Sequence, residues 1–300
     1  MRLLVTGAWK CTDDQINELA LLGNDVVFMQ NEADELPLDP ELVEGVICNG
    51  LFLHHDISDF KNLRYIQLTS AGVDRIPMEY INAKGIIVKN ARGVYSIPMA
   101  EFAVSGVLQL YKECKFFYRN QKIHNWEKNR NLEELFGKTV CIVGCGSVGT
   151  ECARRFSAFG CKILGVDLFP RTDCCFEKIY HLNELDIVLN DSQVLILTLP
   201  LTDETRNIID KIRLNMLPEG AVVVNISRGG VVDSQALLEC LREQKLKGAV
   251  MDVFEQEPLN EKSEFWDLDN VILTPHNSFV GSGNSQRLWE VIKTNMEKER

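Results

Sequence analysis

The chain of 300 residues is 45% apolar and 25% charged, and its formal net charge is −11 at pH 7. These values are ordinary for a folded globular protein of about two domains, and they exclude a disordered chain. The acidic balance argues against nucleic acid as a partner, because phosphates require a basic surface, but it allows a small anionic substrate that meets only local cations.

The first ninety residues alternate short apolar runs with polar helical stretches. This pattern predicts strands at 2–6, 25–29, 45–49, 64–68 and 85–89. Between the first two strands, Thr12 and Gln15 have the spacing of a helix-capping box, and Gly23 marks the end of that helix. Strands that alternate with helices predict an α/β domain with a parallel sheet. The chain begins with a strand pattern and not with a signal peptide, and it contains no apolar run long enough to span a membrane.

A long helical pattern follows over residues 97–119 and is expected to lead into a second domain. Further strands are predicted within 138–144, 161–167, 192–200, 220–228, 248–254 and 270–276. Residues 285–300 have the apolar spacing of an amphipathic helix. The second half of the chain is therefore also predicted to be an α/β domain with a parallel sheet.

A glycine-rich loop joins the first strand of this second series to a helix. Gly144, Gly146 and Gly149 have the spacing G-x-G-x-x-G, which favours a tight turn, close approach of a pyrophosphate to the backbone, and close packing of helix against strand. The N-terminus of the helix offers unpaired N–H groups to an anion. The residues predicted to bind a dinucleotide here are Gly144, Gly146, Ser147, Val148 and Gly149.

The next strand ends in Asp167, which is positioned to accept hydrogen bonds from the adenosine ribose. Its carboxylate would repel the 2′-phosphate of NADP, so NAD is the predicted cofactor. Arg171 lies close by in the sequence and leaves the strength of that preference open.

The segment "VNISRGGVVD" (224–233) places Arg228 between an apolar strand and two glycines. In α/β proteins, ligands bind at the carboxyl ends of the strands. A planar guanidinium at such a position can bind both oxygens of an anionic group, which a lysine cannot do in the same way. Arg228 is therefore a candidate ligand for an anionic substrate.

The ten cysteines contain no repeated C-x-x-C pairs, so no metal site is predicted. The four cysteines between residues 141 and 161 lie in apolar strand and helix patterns and are interpreted as core residues. The adjacent pair Cys174-Cys175 is interpreted as incidental. Cysteine use of this kind fits a reducing compartment, so a cytoplasmic location is expected.

Five motifs, taken together and in this order, resemble the D-isomer-specific 2-hydroxyacid dehydrogenases over almost the whole chain. They are "TSAGVD" (69–74), the glycine loop, "SRGG" (227–230), "DVFEQEP" (252–258) and "TPHNS" (274–278). The resemblance implies an α/β protein in which a Rossmann NAD-binding domain, residues 98–278, is inserted into a flavodoxin-like substrate domain made of residues 1–97 and 279–300. It also implies a homodimer whose contact includes the helix from residue 98.

The activity implied by the resemblance is the NAD-dependent interconversion of a small 2-oxo acid and its D-2-hydroxy acid. Arg228 corresponds to the substrate-binding arginine of the family, and His276 to the proton donor and acceptor. Of Glu255 and Glu257, the family's catalytic glutamate corresponds to Glu257, because it directly precedes the proline. An ionised carboxylate beside the histidine would stabilise the imidazolium.

Further ligand positions follow from the same resemblance. The backbone N–H groups of Ala71 and Gly72 correspond to those that bind the substrate carboxylate. The residues assigned to the cofactor cleft are Ser96, Leu199, Thr205, Ile226 and Asp252. Arg75 and Arg92 lie near the proposed substrate segment and leave open whether a second anionic group is recognised, so the individual 2-hydroxy acid is not predicted.

Two other functions remain as alternatives. The same fold serves dinucleotide-sensing transcriptional corepressors, which bind partners without catalysis. Formate and phosphite dehydrogenases share the architecture, but formate enzymes have glutamine at the position of Glu257, which counts against that branch.

Overall fold

The chain forms two parallel β-sheets, each in a separate compact unit. The computed structural model describes residues 1–299. One unit comprises Met1–Tyr95 and the C-terminal segment from Gly281, and the other comprises Ser96–Val280. The predicted domain boundaries lie close to these limits, and the functional roles assigned to the two domains stay predictions.

Twelve strands form the two sheets of the described residues. They are β1 (Arg2–Thr6), β2 (Asp25–Met29), β3 (Gly45–Cys48), β4 (Tyr65–Leu68), β5 (Ile87–Lys89), β6 (Thr139–Val143), β7 (Lys162–Asp167), β8 (Lys178–His181), β9 (Val194–Leu197), β10 (Ala221–Asn225), β11 (Leu246–Met251) and β12 (Val271–Leu273). Eleven of them were predicted from the sequence. The short strand β8 was missed.

Nine α-helices accompany these strands within residues 1–299. They are α1 (Asp13–Leu21), α2 (Met78–Lys84), α3 (Ser96–Tyr111), α4 (Cys114–Lys122), α5 (Ser147–Ala158), α6 (Leu185–Leu189), α7 (Lys211–Met216), α8 (Ser234–Arg242) and α9 (Asn284–Lys298). In this part of the chain, none of the helices combines the length and the apolar composition needed to cross a bilayer.

The first unit has the strand order β2-β1-β3-β4-β5, which is the order of flavodoxin-like sheets. Helix α1 begins with the predicted capping box, in which the Thr12 and Gln15 side chains each bond the other residue's backbone. The predicted C-terminal helix is α9, and it packs in one apolar cluster with β1. Trp9 and Trp289 stack there with ring centroids 5.5 Å apart.

The second unit has the strand order β12-β11-β10-β9-β6-β7-β8, which is the Rossmann order with one added strand. Neighbouring residues of its strands point to opposite faces, so Val223 belongs to one apolar cluster while Val222 and Val224 belong to the other. Burial on both faces explains why these strands are continuously apolar in sequence.

The helix predicted over residues 97–119 is wrong as a single element. It breaks between Tyr111 and Cys114, where Glu113 adopts a left-handed conformation with φ of 51°. The Glu113 carboxylate pairs with Lys247 Nζ at 3.0 Å, which holds the chain at the break. Apolar spacing continues across this point, so periodicity alone could not reveal it.

The order of the second sheet places β10, β11 and β12 side by side and parallel. The carboxyl ends of parallel strands meet at one edge of the sheet. The segments that follow these three strands carry Arg228, Glu257 and His276.

Candidate active site

A buried carboxylate organises the segment that carries His276. Asp252 directly follows β11 and is 1% exposed. Its Oδ1 accepts hydrogen bonds from the Thr274 hydroxyl at 2.6 Å and from the Asn277 N–H at 2.7 Å, and both oxygens accept from the Ser278 N–H. Because each donor lies beyond β12, this one carboxylate ties residues 274–278 to the end of β11.

The backbone of His276 is tied to the same residue. Its N–H donates to the Asp252 carbonyl oxygen at 2.7 Å, and its φ of 52° lies in the left-handed region that is uncommon for residues other than glycine. Such a conformation persists only where the surroundings enforce it. The bonds to Asp252 supply that enforcement and set the direction of the imidazole.

The imidazole of His276 contacts the carboxylate of Glu257. Nδ1 lies 2.9 Å from Oε2, and the two side chains are 41% and 39% exposed, so the pair is accessible to a small molecule. The other oxygen, Oε1, accepts the Phe254 N–H at 3.0 Å, which fixes the carboxylate within its own turn. With Nδ1 engaged, Nε2 is the ring nitrogen that remains to face a substrate.

Glu255 has a different environment. Its Oε1 lies 3.6 Å from Nη1 of Arg206, and the pair is half-exposed. Of the two carboxylates in the "DVFEQEP" segment, the structure thus places Glu257 against the histidine, as the motif comparison predicts. The catalytic role of Glu257 stays a prediction at this point.

Arg228 stands on a turn that is shaped by Asn225, the last residue of β10. The buried Asn225 amide accepts the Ser227 N–H and hydroxyl and donates to the Arg228 carbonyl at 3.0 Å. Arg228 itself is half-buried, and its Nη1 donates to the Ser227 carbonyl at 2.8 Å. A cation is therefore held at the carboxyl end of the strand next to β11.

Gly229 allows two strand ends to approach each other. A Cβ at this position would lie 1.9 Å from the Phe254 carbonyl carbon and 2.2 Å from the Glu255 nitrogen. No side chain fits there. The segment bearing Arg228 is therefore in backbone contact with the segment that leads to Glu257.

The glycine loop has the geometry of a dinucleotide cradle. Gly144 has φ of +95°, and a Cβ there would meet the Leu199 nitrogen at 2.7 Å, while a Cβ at Gly149 would meet the Gly144 oxygen at 2.1 Å. Around Gly146, by contrast, no heavy atom of the described residues lies within 4 Å of such a Cβ. Helix α5 begins at the next residue, so its N-terminal N–H groups face this open space. These residues fit the pyrophosphate of NAD.

Asp167 ends β7 beside this loop. Its Oδ2 accepts the Cys145 N–H at 2.7 Å, and its Oδ1 accepts the Phe169 N–H at 3.0 Å. Arg171 donates to the Cys145 carbonyl at 2.5 Å, so a carboxylate and a guanidinium both hold the residue between Gly144 and Gly146. Sequence proximity had suggested Arg171 only as a complication for cofactor choice, and its bond to the loop was missed.

The other positions assigned to the cofactor are buried in the second unit. Ser96, Leu199, Thr205 and Ile226 are between 1% and 6% exposed. The Thr205 hydroxyl donates to the Pro200 carbonyl and accepts the Thr202 N–H, both at 2.7 Å, so it closes the turn after β9. Cofactor contacts by these four residues stay predictions.

The segment predicted to bind the substrate carboxylate follows β4 in the first unit. The carbonyl of Ala71 accepts from the Asn90 amide at 2.7 Å, and that of Gly72 accepts from the Ser70 hydroxyl at 2.9 Å. Within residues 1–299, no hydrogen bond occupies the N–H of Ala71 or Gly72. Both donors are therefore available to an anion.

Sequence reasoning missed Thr274 and Asn225, the two polar side chains that shape the turns at this sheet edge. Thr274 lies in the "TPH" motif and Asn225 in the apolar run before Arg228. The available signal was a polar residue at the end of a buried strand. This signal does not identify the group to which the side chain forms a hydrogen bond.

Comparison with known proteins identifies the family of the chain. The family model described as "D-isomer specific 2-hydroxyacid dehydrogenase, NAD binding domain" matches residues 104–278. Glyoxylate/hydroxypyruvate reductase A of Arabidopsis thaliana is 37% identical over 76% of this chain and 71% of its own length. Hydroxypyruvate reductase of Thermotoga maritima is 35% identical over 82% of this chain and 81% of its own.

A solved structure covers the whole chain. The D-isomer specific 2-hydroxyacid dehydrogenase of Xanthobacter autotrophicus, crystallised with NADPH and MES, superposes with a TM-score of 0.80 at 27% identity, covering 100% of this chain and 95% of that one. The protein described here belongs to the D-isomer-specific 2-hydroxyacid dehydrogenase family and is an NAD-dependent oxidoreductase with a Rossmann domain.

The two glycines of the loop should respond differently to an added methyl group. We expect Gly146→Ala to retain the thermal unfolding temperature of the parent but to weaken NADH binding, because only the approaching pyrophosphate meets the new Cβ. We expect Gly149→Ala to lower the unfolding temperature even without NADH, because its Cβ overlaps the Gly144 carbonyl. Thermal unfolding and NADH fluorescence titration measure both effects. Unchanged NADH affinity in Gly146→Ala would contradict the assigned position of the pyrophosphate.

Proposed function

We propose that the protein reduces a small 2-oxo acid to its D-2-hydroxy acid, with His276 as the proton donor. The observation that carries this proposal is the contact between His276 and Glu257 at the sheet edge where Arg228 also stands. A 2-oxo acid has a carboxylate beside a carbonyl oxygen, and the guanidinium of Arg228 can donate to both.

The proposed proton transfer occurs at Nε2 of His276. Bound NADH supplies the hydride that the carbonyl carbon accepts. As charge develops on the carbonyl oxygen, the protonated imidazole donates the Nε2 proton to it, while Nδ1–H remains bonded to Glu257. In the oxidative direction, neutral His276 accepts the hydroxyl proton. The N–H groups of Ala71 and Gly72 are proposed to bind the substrate carboxylate.

Glyoxylate and hydroxypyruvate are the first substrates to test, because they are named in the relatives reported above. Both are short, so neither needs a large apolar pocket. We propose that a short 2-oxo acid of this kind is the substrate. Rates of NADH oxidation with glyoxylate, hydroxypyruvate, pyruvate and a branched 2-oxo acid test this proposal. Absence of turnover with all four would contradict it.

NADH is proposed to be preferred to NADPH, because the Asp167 carboxylate would face the 2′-phosphate. The relative from Xanthobacter autotrophicus was crystallised with NADPH, so both cofactors are to be tested. The same assay with each cofactor decides the preference.

Replacement of Arg228 tests the substrate contact. We expect Arg228→Lys to lower kcat/KM for the oxo acid by about 10²-fold or more, the size of effect that misplacing a reacting group by 1 Å can produce. NADH affinity should stay near that of the parent, since only the substrate needs the two-pronged donor. Arg206→Lys is the matched control, because Arg206 stands nearby but pairs with Glu255. Equal losses in the two variants would remove Arg228 from the substrate site.

Replacement of Glu257 tests the histidine–glutamate pair. The Glu257 carboxylate contacts Nδ1 of His276 at 2.9 Å and is proposed to hold the imidazole in the direction that proton transfer needs. Glu257→Gln should therefore lower kcat for reduction and for oxidation, because a neutral amide is a weaker acceptor for Nδ1–H than a carboxylate. NADH affinity should stay near that of the parent, and steady-state rates with fluorescence titration of NADH measure both effects.

The control is Glu255→Gln, which removes a carboxylate from the same segment without touching His276. It should leave kcat near that of the parent. Replacement of His276 by asparagine should lower kcat by about 10²–10⁴-fold, the usual contribution of general acid–base catalysis. If Glu257→Gln and Glu255→Gln both kept the kcat of the parent, the pair would play no part in proton transfer.

A homodimer formed through the second unit is also proposed. The helix α3 is mostly buried, but a groove of about 570 Å³ lined by Val104, Leu108 and Phe159 runs beside it. Within residues 123–136, the Trp126 side chain is 98% exposed and the Phe136 side chain is 76% exposed. Large exposed aromatic side chains are typical of interaction surfaces.

Sedimentation should show a species of twice the 34.0 kDa chain mass at micromolar concentration. Trp126→Asp should shift it toward the monomer, because a charge would be buried without a partner. Leu53→Asp, an equally drastic change at an exposed leucine of the first unit, should not. A monomeric parent protein would refute the dimer.

A further inference from the structure

The loop between β7 and β8 brings together three side chains that can bind a metal ion. They are the carboxylate of Asp173 and the thiols of Cys174 and Cys175, whose ligand atoms all lie within 4.8 Å of one another. The two sulfurs are 4.0 Å apart. Since Zn²⁺ binds thiolate sulfur at about 2.3 Å with tetrahedral angles, two sulfurs on one ion stand about 3.8 Å apart. The observed separation is close to that value.

These thiols differ from most of the protein's other cysteines. Burial raises the pKa of Cys141, Cys145 and Cys152 to about 12, so these thiols stay protonated and inert. Cys174 is exposed, the only one of the ten cysteines in that class, and Cys175 is half-buried.

The backbone around Cys175 keeps the loop in this arrangement. The Cys175 N–H donates to Asp173 Oδ1 at 3.0 Å, so the backbone itself holds the carboxylate near the two thiols. The side chain of Phe176, next along the chain, is buried in the core and anchors the loop.

We propose that Asp173, Cys174 and Cys175 form a binding site for one thiophilic divalent cation, of the class of Zn²⁺ and Cd²⁺. Two thiolate sulfurs and one carboxylate oxygen supply three ligands, and water supplies the fourth. Each thiol releases its proton to solvent as its sulfur binds the ion, and no electron is transferred. The preference for N and S ligands separates this class from Mg²⁺ and Ca²⁺, which require oxygen.

The site is linked to the glycine loop by Arg171. The Arg171 guanidinium lies 3.5 Å from Asp173 Oδ2, and it donates to the Cys145 carbonyl at 2.5 Å and to the Thr150 hydroxyl at 3.3 Å. A cation bound to Asp173 competes with Arg171 for the carboxylate and repels the guanidinium. The consequence is a weaker hold on Cys145, between Gly144 and Gly146, and hence weaker NADH binding. This second step rests on the assignment of the glycine loop to the cofactor, whereas the metal site does not.

Titration with Cd²⁺ tests the site without substrate or NADH. Thiolate-to-cadmium charge transfer gives an ultraviolet absorption that should saturate at one ion per chain. The double variant Cys174→Ser/Cys175→Ser should lose this absorption. The control Cys114→Ser/Cys161→Ser, which removes two half-buried thiols elsewhere, should keep it. Asp173→Asn should weaken the binding by about tenfold or more, as is usual when a group that supports a bound metal is lost. Mg²⁺ should not compete.

Retention of the absorption in Cys174→Ser/Cys175→Ser, or its absence from the parent, would overturn the metal site. NADH titration in the presence of saturating Cd²⁺ tests the link. The dissociation constant for NADH should rise several-fold in the parent and in the control variant, and stay constant in Cys174→Ser/Cys175→Ser. An equal NADH affinity with and without Cd²⁺ in the parent would overturn the link through Arg171. Neither the Cd²⁺ titration nor the NADH titration needs an oxo acid. A failure of the proposed reaction would therefore not change either result and can be distinguished from a failure of the metal site.

Discussion

One buried carboxylate holds the candidate active site together. Asp252 receives hydrogen bonds from a hydroxyl and two backbone N–H groups beyond β12, and its own carbonyl accepts the His276 N–H. A buried carboxylate is costly unless its oxygens are satisfied. Here that requirement is what fixes the segment 274–278 against β11, and with it the direction of the imidazole. The contact of His276 with Glu257 depends on this arrangement.

Close backbone contacts complete the site. Gly229 has no room for a side chain beside Phe254, so the turns after β10 and β11 touch directly. A parallel sheet brings the strand ends to one edge, but it does not determine how near their loops come. Because Gly229 has no Cβ, the turn after β10 can lie directly against the turn after β11. The arginine, the carboxylate and the histidine of the proposed reaction therefore stand on segments that contact one another directly.

Charged side chains also hold the glycine loop at the cofactor end of the second sheet. Cys145 is held by Asp167 through its N–H and by Arg171 through its carbonyl. Arg171 in turn pairs with Asp173, the first residue of the proposed metal site. A chain of charged contacts thus runs from an exposed loop to the glycine turn.

Local patterns in the sequence determined eleven of the strands, the capping box of α1 and the glycine loop, because apolar runs and glycine spacing are properties of neighbouring residues. Arg228 was a candidate from its place after a strand, His276 was assigned from the family resemblance, and the roles of both stay predictions. The local patterns did not reveal β8, because Lys178–His181 has polar residues at both ends and only two apolar residues between them. They also did not reveal the break at Glu113, where the apolar spacing continues. Only the tertiary structure decided which side chains meet. Asp252 and Thr274 are far apart in sequence, and their contact exists because β11 and β12 are paired in one register.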